Sequence, residues 1–285
     1  MQRYFKYLHA YVDEWQQRHC QYFRNRQLTT IHYSMQVVGI IPARYASSRL
    51  PGKPLSQIAG KTLIQRVYEQ AKQATALNAV YVATDSPQIM QAVANFGGHA
   101  ILTHTNHQSG TERCAEAIEK LPSKPNIVIN IQGDEPFINP EQINQVVQIF
   151  TQNPDAQLAT LIRKITEPEV LLNPNHPKVV INEQGQAIYF SRQAIPFLRN
   201  HPTQNWLQHH VFYQHVGIYG YTAQVLQQIV QLPPSPLEQA ELLEQLRWIA
   251  HGWPIFTQIT SYPTLSVDTP DDLAAAIEYA QANNL

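Results

Sequence analysis

The sequence predicts an α/β fold in which helices flank a mostly parallel central sheet and a small antiparallel subdomain follows. From Val37 to about residue 157, short apolar runs alternate with amphipathic stretches of helical period, which is the pattern of βαβ units. Beyond that point the apolar runs lengthen and turn residues separate them, as in antiparallel strands. With 285 residues, 44% of them hydrophobic, the chain can bury one large core. One folded unit over residues 35–285 is expected, with the antiparallel part at about 157–220.

The parallel part contains alternating strand and helix patterns. Val37–Ile41 is a β-branched run short enough for a buried strand. The other strand patterns are AVYVAT from Ala79, HAILT from His99 and NIVINI from Asn126. Helical patterns follow Thr62, Pro87, Thr111 and Pro140. This order is the one that a parallel sheet with covering helices requires.

The antiparallel part and the late helices are indicated by turns and caps. Strands are predicted for QLATLIRKI from Gln157 and for the two halves of PKVVINEQGQAIYF from Pro177, with Glu183–Gln186 as the turn of a hairpin. Two further helices are predicted to begin at SPLE from Ser235 and at TPDD from Thr269. Each motif places a capping hydroxyl, a first-turn proline and an acidic residue three positions on.

The composition excludes several classes of function. The formal net charge is −1 and charged residues amount to 14%, so no broad basic surface exists for nucleic acid or an anionic membrane. No apolar stretch approaches the roughly 18 residues of a membrane span, and no secretory leader pattern is present. The two cysteines, Cys20 and Cys114, lack the spacing of a zinc site or a disulfide framework. A soluble, cytoplasmic protein with free thiols and a small substrate is expected.

Residues 1–34 precede the predicted fold, which begins near Met35. They are rich in aromatic residues, Gln and Arg. Three interpretations are open: an extension from an upstream start codon or from cloning, a partner-binding helix, or an organellar transit peptide, against which Asp13 and Glu14 count. No function is assigned to this segment.

A basic loop follows the first predicted strand. IIPARYASSRLPGKPL, from Ile40 to Leu55, carries Arg44, Arg49 and Lys53 among small residues. Ligands bind at the carboxyl ends of strands in open α/β sheets, small residues let backbone N–H groups approach phosphates, and cations neutralise them. The alternative is a solvated surface loop. Because only 14% of the residues in the chain are charged, three cations within sixteen residues favour a binding role. A phosphate-binding loop is predicted.

Two carboxylates are candidate metal ligands. Asp134 follows the strand pattern Ile127–Ile131, beside a glycine that admits close approach of the backbone. Asp268 follows what the pattern predicts to be another strand and precedes the capped helix after Thr269. A lone Asp at a strand end is more often a turn or cap residue. Two on neighbouring strand ends can instead hold magnesium against nucleotide phosphates.

Five more blocks accompany the basic loop: HQSGTER at 107–113, NIQGDEPFI at 130–138, HVGIYGY at 215–221, PSPLEQAELLEQLR at 234–247 and VDTPDDL at 267–273. In this order they resemble the 3-deoxy-manno-octulosonate cytidylyltransferases, or CMP-KDO synthetases, from about Met35 to the end. The resemblance implies a Rossmann-like nucleotide-diphospho-sugar transferase fold. It also implies attack of the anomeric hydroxyl of KDO on the α-phosphorus of CTP, giving CMP-KDO for lipopolysaccharide and pyrophosphate.

The resemblance also implies a cofactor, a partner and a set of site residues. Mg²⁺ would be bound by Asp134 and Asp268, and a homodimer would form through the antiparallel subdomain. The implied catalytic residues are Lys53, Arg44, Asp134 and Asp268. The implied CTP-binding residues are Ala43, Arg44, Arg49, Lys53, Thr84, Asp85, Ser109, Gly110, Thr111 and Arg113. The implied sugar-acid-binding residues are Gln132, Arg192, His215, Tyr219, Glu244 and Gln245.

Some of these assignments have a structural alternative. Ser109–Thr111 is also an ordinary helix cap. Helical periodicity places Glu244 opposite an apolar stripe of Leu242, Leu246 and Ile249, which is equally consistent with a solvated face. In HVGIYGY, strand alternation puts His215 and Tyr219 on one face, where one sugar could touch both.

Two rival functions remain open at the level of the sequence. One is nucleotidyl transfer to a related acceptor, such as 8-amino-KDO, a sialic acid or a sugar 1-phosphate. An analogue that differs by one substituent changes only a contact or two. The other is a nucleotide-binding regulatory protein without catalysis, against which the joint presence of Lys53, Asp134 and Asp268 argues.

Overall fold

Nine strands form one sheet in the part of the chain that the structure, a computed structural model, describes, namely residues 35–46 and 49–285. Their bounds are β1 Val37–Ala43, β4 Ala79–Thr84, β5 Ala100–Leu102, β6 Ile127–Asn130, β7 Leu158–Lys164, β8 Lys178–Ile181, β9 Ala187–Ser191, β10 Tyr213–Thr222 and β11 Phe256–Ile259. A separate ribbon pairs β2 Gln57–Ile58 with β3 Lys61–Thr62. The predictions for residues 1–34, including Cys20, lie outside the described residues, as do Ser47 and Ser48 of the basic loop.

Helices cover the sheet. Their bounds are α1 Leu63–Lys72, α2 Pro87–Asn95, α3 Gly110–Glu119, α4 Pro140–Gln152, α5 Pro168–Leu172, α6 Trp206–His209, α7 Ala223–Ile229, α8 Pro236–Glu241, α9 Gln245–Ala250 and α10 Pro270–Ala282. Short 3-10 turns lie at Lys53–Leu55 and Thr203–Asn205. None of the helices within the described ranges is both long and apolar enough to cross a bilayer.

The sheet is parallel in its first half and mixed in its second. Its order is β11-β7-β10-β6-β1-β4-β5. β1 pairs in parallel with β4 and β6, and β4 with β5, whereas β10 runs antiparallel to β6 and β7. The predicted hairpin is confirmed as β8 and β9, which join the sheet through β10. The predicted fold class is therefore confirmed.

The core lies on both faces of this sheet. Ile40 and Ile41 are both fully buried, yet they belong to different apolar clusters because successive strand residues point to opposite faces. One cluster packs against α1, α4 and α10, and the other against α3, α7 and α9. Burial on both faces explains why the strands of the parallel half are continuous apolar runs in the sequence.

The helix predicted through the block PSPLEQAELLEQLR is interrupted. α8 ends at Glu241, and the next residue, Leu242, is left-handed with φ of 51° and is 77% exposed. α9 starts three residues later, with Glu244 at its amino cap. The apolar stripe expected to run from Leu242 through Leu246 therefore does not exist. The surroundings of Glu244 follow from its contacts and not from helical periodicity.

Candidate active site

A cavity of about 370 Å³ opens at the carboxyl ends of β1 and β6. Parallel strands of an open α/β sheet present their ligand sites at this edge. Ten of the predicted site residues line the cavity: Ala43, Arg44, Arg49, Lys53, Ser109, Gly110, Arg113, Gln132, Asp134 and Asp268. The structure thus brings together residues that lie up to 225 positions apart in the chain.

Lys53 is the centre of the charged end of this cavity. Its Nζ lies 2.9 Å from Asp134 Oδ2 and 3.0 Å from Asp268 Oδ1. Burial alone would lower the pKa of this ammonium, but the two carboxylates outweigh that effect and raise it. Arg49 adds a second cation, with Nη2 3.2 Å from Asp268 Oδ1. One oxygen from each carboxylate therefore converges on a single cationic group.

The donor set fits magnesium. Asp134 and Asp268 offer hard oxygen ligands around one point, and Mg²⁺ is commonly held by one or two carboxylates, with water and substrate phosphates completing its shell. Within residues 35–46 and 49–285, no group of three or more His, Cys, Asp and Glu side chains could form a full protein cage. The arrangement suits a metal that arrives with a phosphorylated substrate.

Asp268 reaches the site without a preceding strand. Residues 260–268 lie outside the strands, so the prediction of a strand before Asp268 is wrong. The Val267 N–H donates to the Asp134 carbonyl at 2.9 Å, and this bond aligns the two segments. Asp272 Oδ2 then accepts the N–H groups of Asp268 and Thr269 at 3.0 and 2.8 Å, as part of the cap of α10. The predicted cap of that helix is confirmed.

Gly133 permits the close approach of the Asp134 segment to β1. A Cβ atom at Gly133 would lie 2.7 Å from the Pro42 carbonyl oxygen, a backbone atom that cannot rotate away. In the sequence, a glycine directly before the candidate metal ligand Asp134 indicates a close approach of the backbone here. A glycine is required because residue 133 lies against the backbone at the end of β1.

Gly133→Ala is expected to lower both activity and stability. Overpacking against a backbone carbonyl should cost about 1–3 kcal/mol, and displacement of Asp134 should reduce pyrophosphate release about ten-fold or more. Thermal melting and a pyrophosphate assay check the two effects. Gly217→Ala is the matched control for stability, because its Cβ would meet nothing closer than 3.7 Å. An unchanged melting temperature in Gly133→Ala would contradict the contact.

Arg113 is held in a buried polar network. It is 3% exposed, its Nη2 donates to Asp85 Oδ2 at 3.0 Å, and its Nη1 donates to Thr103 Oγ1 at 2.6 Å. Thr84 is fully buried, and its carbonyl accepts the Thr103 N–H at 2.8 Å. Arg113 reaches the cavity lining, whereas Thr84 and Asp85 are not among the lining residues. Thr84 thus joins the end of β4 to the chain after β5, and Asp85 holds the guanidinium of Arg113.

The start of α3 serves as a cap and also faces the cavity. Ser109 Oγ accepts the Glu112 N–H at 3.2 Å, so the predicted cap is present. Thr111 Oγ1 donates to Glu244 Oε2 at 2.7 Å. Burial raises the pKa of the Glu244 carboxyl, although hydrogen bonds from Ser109 and Thr111 oppose the shift. Glu244 therefore does not lie on a solvated face; it joins α9 to the start of α3.

Four of the predicted sugar-acid residues form a connected buried group. The ring centroids of His215 and Tyr219 are 5.2 Å apart, so the two residues do share a face. Tyr219 also packs edge-on against Trp248 of α9, with centroids 5.2 Å apart. α9 carries Gln245, which is 4% exposed, directly after Glu244. This group adjoins the cavity through the Thr111–Glu244 hydrogen bond.

The other two sugar-acid residues have different surroundings. Gln132 lines the cavity, and its Nε2 donates to Asn130 Oδ1 at 3.4 Å. The Arg192 guanidinium donates to the carbonyls of Pro174, Glu241 and Leu242 at 3.0, 2.6 and 3.2 Å. Three of its five N–H groups are used in this way. Arg192 thus fixes the interruption between α8 and α9 and keeps two donors for other partners.

His215 is neutral in the folded protein. Its Nε2 lies 3.0 Å from Thr160 Oγ1, and its ring packs edge-on against Phe190. Burial lowers the pKa of this imidazole from about 6.5 to about 3. A neutral ring can accept or donate one hydrogen bond at each nitrogen without adding charge to the site.

Acid pH should destabilise the protein through His215. Because the unfolded state binds a proton below pH 6.5 and the folded state only near pH 3, the stability due to this group is present above pH 6.5. It should be lost as pH falls, at about 1.4 kcal/mol per pH unit. Urea unfolding between pH 7 and pH 4 measures the slope, and His215→Gln should flatten it. An equal slope in the two proteins would contradict the assignment.

His107 and Gln108 also line the cavity, although sequence reasoning did not select them. They open the block HQSGTER, in which the sequence pattern points only to Ser109, Gly110, Thr111 and Arg113. Trp248 and Thr160, which pack against Tyr219 and His215, gave no sequence signal beyond their apolar or strand context.

Comparison with known proteins gives a consistent result. A family model described as cytidylyltransferase matches residues 38–257. A 3-deoxy-manno-octulosonate cytidylyltransferase of Cytophaga hutchinsonii is 53% identical over 241 residues, which are 84% of this chain and 96% of the relative. Another, from Parabacteroides distasonis, is 49% identical over 249 residues, which are 86% and 98% of the two chains.

The fold comparison agrees. A solved structure of a CMP:2-keto-3-deoxy-manno-octonic acid synthetase complexed with CTP is 44% identical, with a TM-score of 0.81. The match covers 88% of this chain and 100% of that one. The resemblance predicted from six sequence blocks is thereby confirmed over nearly all of the described fold. This chain belongs to the 3-deoxy-manno-octulosonate cytidylyltransferase family of nucleotidyltransferases.

Proposed function

We propose that this protein transfers CMP from CTP to the anomeric hydroxyl of KDO, giving CMP-KDO and pyrophosphate. The observation that carries the proposal is the position of Lys53 between Asp134 and Asp268, at a cavity lined by three further cations, Arg44, Arg49 and Arg113. Family membership gives that geometry its substrate class. A cation set beside paired carboxylates is suited to displacement at a nucleotide phosphate.

The charged end of the cavity would bind the triphosphate. Arg44, Arg49 and Lys53 neutralise its oxygens and stabilise the charge that grows on pyrophosphate as it leaves. Asp134 and Asp268 would hold Mg²⁺, which would supply charge neutralisation and a lower pKa for the attacking sugar hydroxyl. No side chain needs to form a covalent intermediate, because the acceptor hydroxyl attacks phosphorus directly.

The sugar acid would bind between Gln132 of the cavity and the buried group of His215, Tyr219, Glu244 and Gln245. The hydrogen bond from Thr111 to Glu244 supports this placement, since it links the start of α3 to α9. The acceptor hydroxyl would then face the α-phosphorus across a short gap. This arrangement supplies the proximity on which a bimolecular displacement depends.

The biological setting is part of the same proposal. The enzyme would work in the cytoplasm, where CTP is present, and its product would supply lipopolysaccharide synthesis. It would act as a homodimer whose interface includes the β8–β9 hairpin. Ile188 of that hairpin and Phe197, shortly beyond β9, are 53% and 73% exposed, which is the apolar exposure that an interface buries.

Parallel assays of pyrophosphate release test the function. The full chain is incubated with CTP and Mg²⁺ and with KDO, 8-amino-KDO or N-acetylneuraminate. Release with KDO alone supports the proposal. A preference for another acid would retain the mechanism and change the acceptor, and no release with any of them would favour a non-catalytic nucleotide-binding protein.

His215→Gln should weaken binding of the sugar acid. We expect the KM for KDO to rise about ten-fold, because one oriented hydrogen bond is lost or misplaced, while the KM for CTP stays unchanged. Steady-state kinetics with each substrate varied in turn measures both constants. An unaltered KM for KDO would remove His215 from the sugar-acid site.

A further inference from the structure

The segment His104–Ser109, which precedes α3, is fastened to that helix by two carboxylates. Glu112 and Glu116 lie one turn apart on α3. The His104 N–H donates to Glu116 Oε2 at 2.8 Å, and the Gln108 N–H donates to Glu112 Oε2 at 2.8 Å. The segment therefore depends on side chains of the helix for its shape, because these two N–H groups have no strand partner.

The ring of His107 spans the same two carboxylates. Its Nε2 hydrogen bonds with Glu116 Oε2, and its Nδ1 lies 3.7 Å from Glu112 Oε2. Lys120 Nζ holds the other oxygen of Glu116 at 2.6 Å. Although burial opposes the shift, hydrogen bonds from Lys120, the His104 N–H and His107 lower the pKa of Glu116 to about 2. The carboxylate is thus charged over the whole working range of pH.

His107 also forms part of the cavity wall. Its side chain is 19% exposed, and it lines the cavity together with Gln108, Ser109 and Gly110. A Cβ at Gly110 would lie 3.1 Å from Pro42 Cγ, so the start of α3 packs directly against the end of β1. This wall carries the backbone and neutral polar groups of the segment.

The cavity therefore has two chemically different ends. Three of the four cations that line the cavity, Arg44, Arg49 and Lys53, lie on the basic loop and suit a triphosphate. The fourth, Arg113 of α3, is paired with Asp85 at 3.0 Å. In the wall formed by His107–Gly110, the backbone and the side chains of Gln108 and Ser109 supply neutral donors and acceptors, which suit the hydrogen-bonding edge of a nucleobase. A site that selects one base by hydrogen bonds needs those groups to be held in fixed positions.

We propose that His107 is a positioning residue for the nucleotide base, because its bridge between Glu112 and Glu116 fixes the wall against which the base of the nucleotide binds. The inference rests on the proposed use of CTP and adds to it the element that gives base selectivity. His107 acts through the segment and not on the phosphorus.

Binding of separate parts of the nucleotide tests this role. His107→Phe keeps an aromatic ring and removes both the nitrogen that hydrogen bonds with Glu116 and the nitrogen 3.7 Å from Glu112. By calorimetry in Mg²⁺ buffer, CMP and CTP should bind about ten-fold more weakly, whereas pyrophosphate, which needs only the cationic end, should bind unchanged. The preference for CTP over UTP should fall by a similar factor.

Three other variants complete the test. His107→Gln retains one donor toward Glu116 and should restore most of the CMP affinity. His104→Ala leaves the backbone bonds of that residue in place, and it should bind CMP, CTP and pyrophosphate like the wild type. Glu116→Leu removes the oxygen that accepts from both the His104 N–H and His107, and it should reproduce the loss of CMP affinity if His107→Phe does not fold.

The outcomes separate the inference from the proposed function. Equal weakening of CMP and pyrophosphate, or unchanged CMP binding in His107→Phe, would overturn the role of His107 while leaving CTP as the substrate. A wild-type protein that binds neither CMP nor CTP would overturn both. Selective loss of CMP and of base preference supports the inference.

Discussion

Asp134→Ala is expected to abolish measurable turnover, with pyrophosphate release falling about a thousand-fold or more. The substitution removes one of the two carboxylates that converge on Lys53. Asp268 alone would then be left to hold a metal, and it would remain paired with Lys53 and Arg49. A discontinuous assay for pyrophosphate at saturating CTP, KDO and Mg²⁺ measures the loss.

Two controls show whether the loss is specific. Asp155→Ala removes an exposed carboxylate from the loop before β7 and should leave both activity and stability unchanged. Calorimetric titration of CTP should show that Asp134→Ala binds nucleotide more weakly in Mg²⁺ but equally well in EDTA. Normal turnover in Asp134→Ala would rule out the metal assignment.

Arg113→Met is expected to destabilise the fold by about 3–5 kcal/mol. The side chains of Arg113 and Asp85 are 4% and 15% exposed, so removal of the guanidinium would leave a carboxylate buried without its counter-charge. Thr103 would also lose the donor at 2.6 Å. Urea unfolding at neutral pH measures the change in the free energy of unfolding.

The double variant gives the sharper result. Asp85→Asn in the Arg113→Met background should recover part of the lost free energy of unfolding, because the unpaired buried carboxylate is removed. The coupling energy between the two positions should exceed 1 kcal/mol, within the range for contacting pairs of about 0.5–3 kcal/mol. Arg199→Met, at an exposed position, is the matched control and should be neutral. Additive losses from the two single variants would show that the pair is not coupled.

Much of the fold was predictable because local patterns and tertiary structure agree. The strand patterns at Val37 and Ala79 could be recognised from their apolar runs, and the helix after Thr269 from its cap, since each signal lies within a few residues. The hairpin turn was predictable for the same reason. Asn182 closes it by accepting the Gln186 N–H through its side chain at 2.8 Å.

The interruption at Leu242 was not predictable from its neighbours. The block around it contains neither Gly nor Asn, the residues that usually end a helix in the left-handed conformation. The helix ends there because Arg192, 50 residues away, donates to the carbonyls of Glu241 and Leu242 that would otherwise lack partners. A tertiary contact thus overrides helical propensity, and it also determines the surroundings of Glu244.

The approach of Asp268 illustrates the same limit. The sequence predicted a strand before it, but residues 260–268 join no ladder. A residue run becomes a strand only when a neighbouring segment pairs with it. Here a single bond, from the Val267 N–H to the Asp134 carbonyl, takes the place of that ladder. Patterns within a segment cannot reveal which distant segment will supply one hydrogen bond.

The bridge from Lys53 to Asp268 has a consequence for the order of events during synthesis. The two residues are separated by 215 positions, so closing this contact costs about 1–2 kcal/mol more in loop entropy than the pairing of β1 with β4. The parallel strands can form while the ribosome is still translating the last helix. The group of Lys53, Asp134 and Asp268 is then completed only after Asp268 leaves the exit tunnel, so most of the sheet can fold before this group exists.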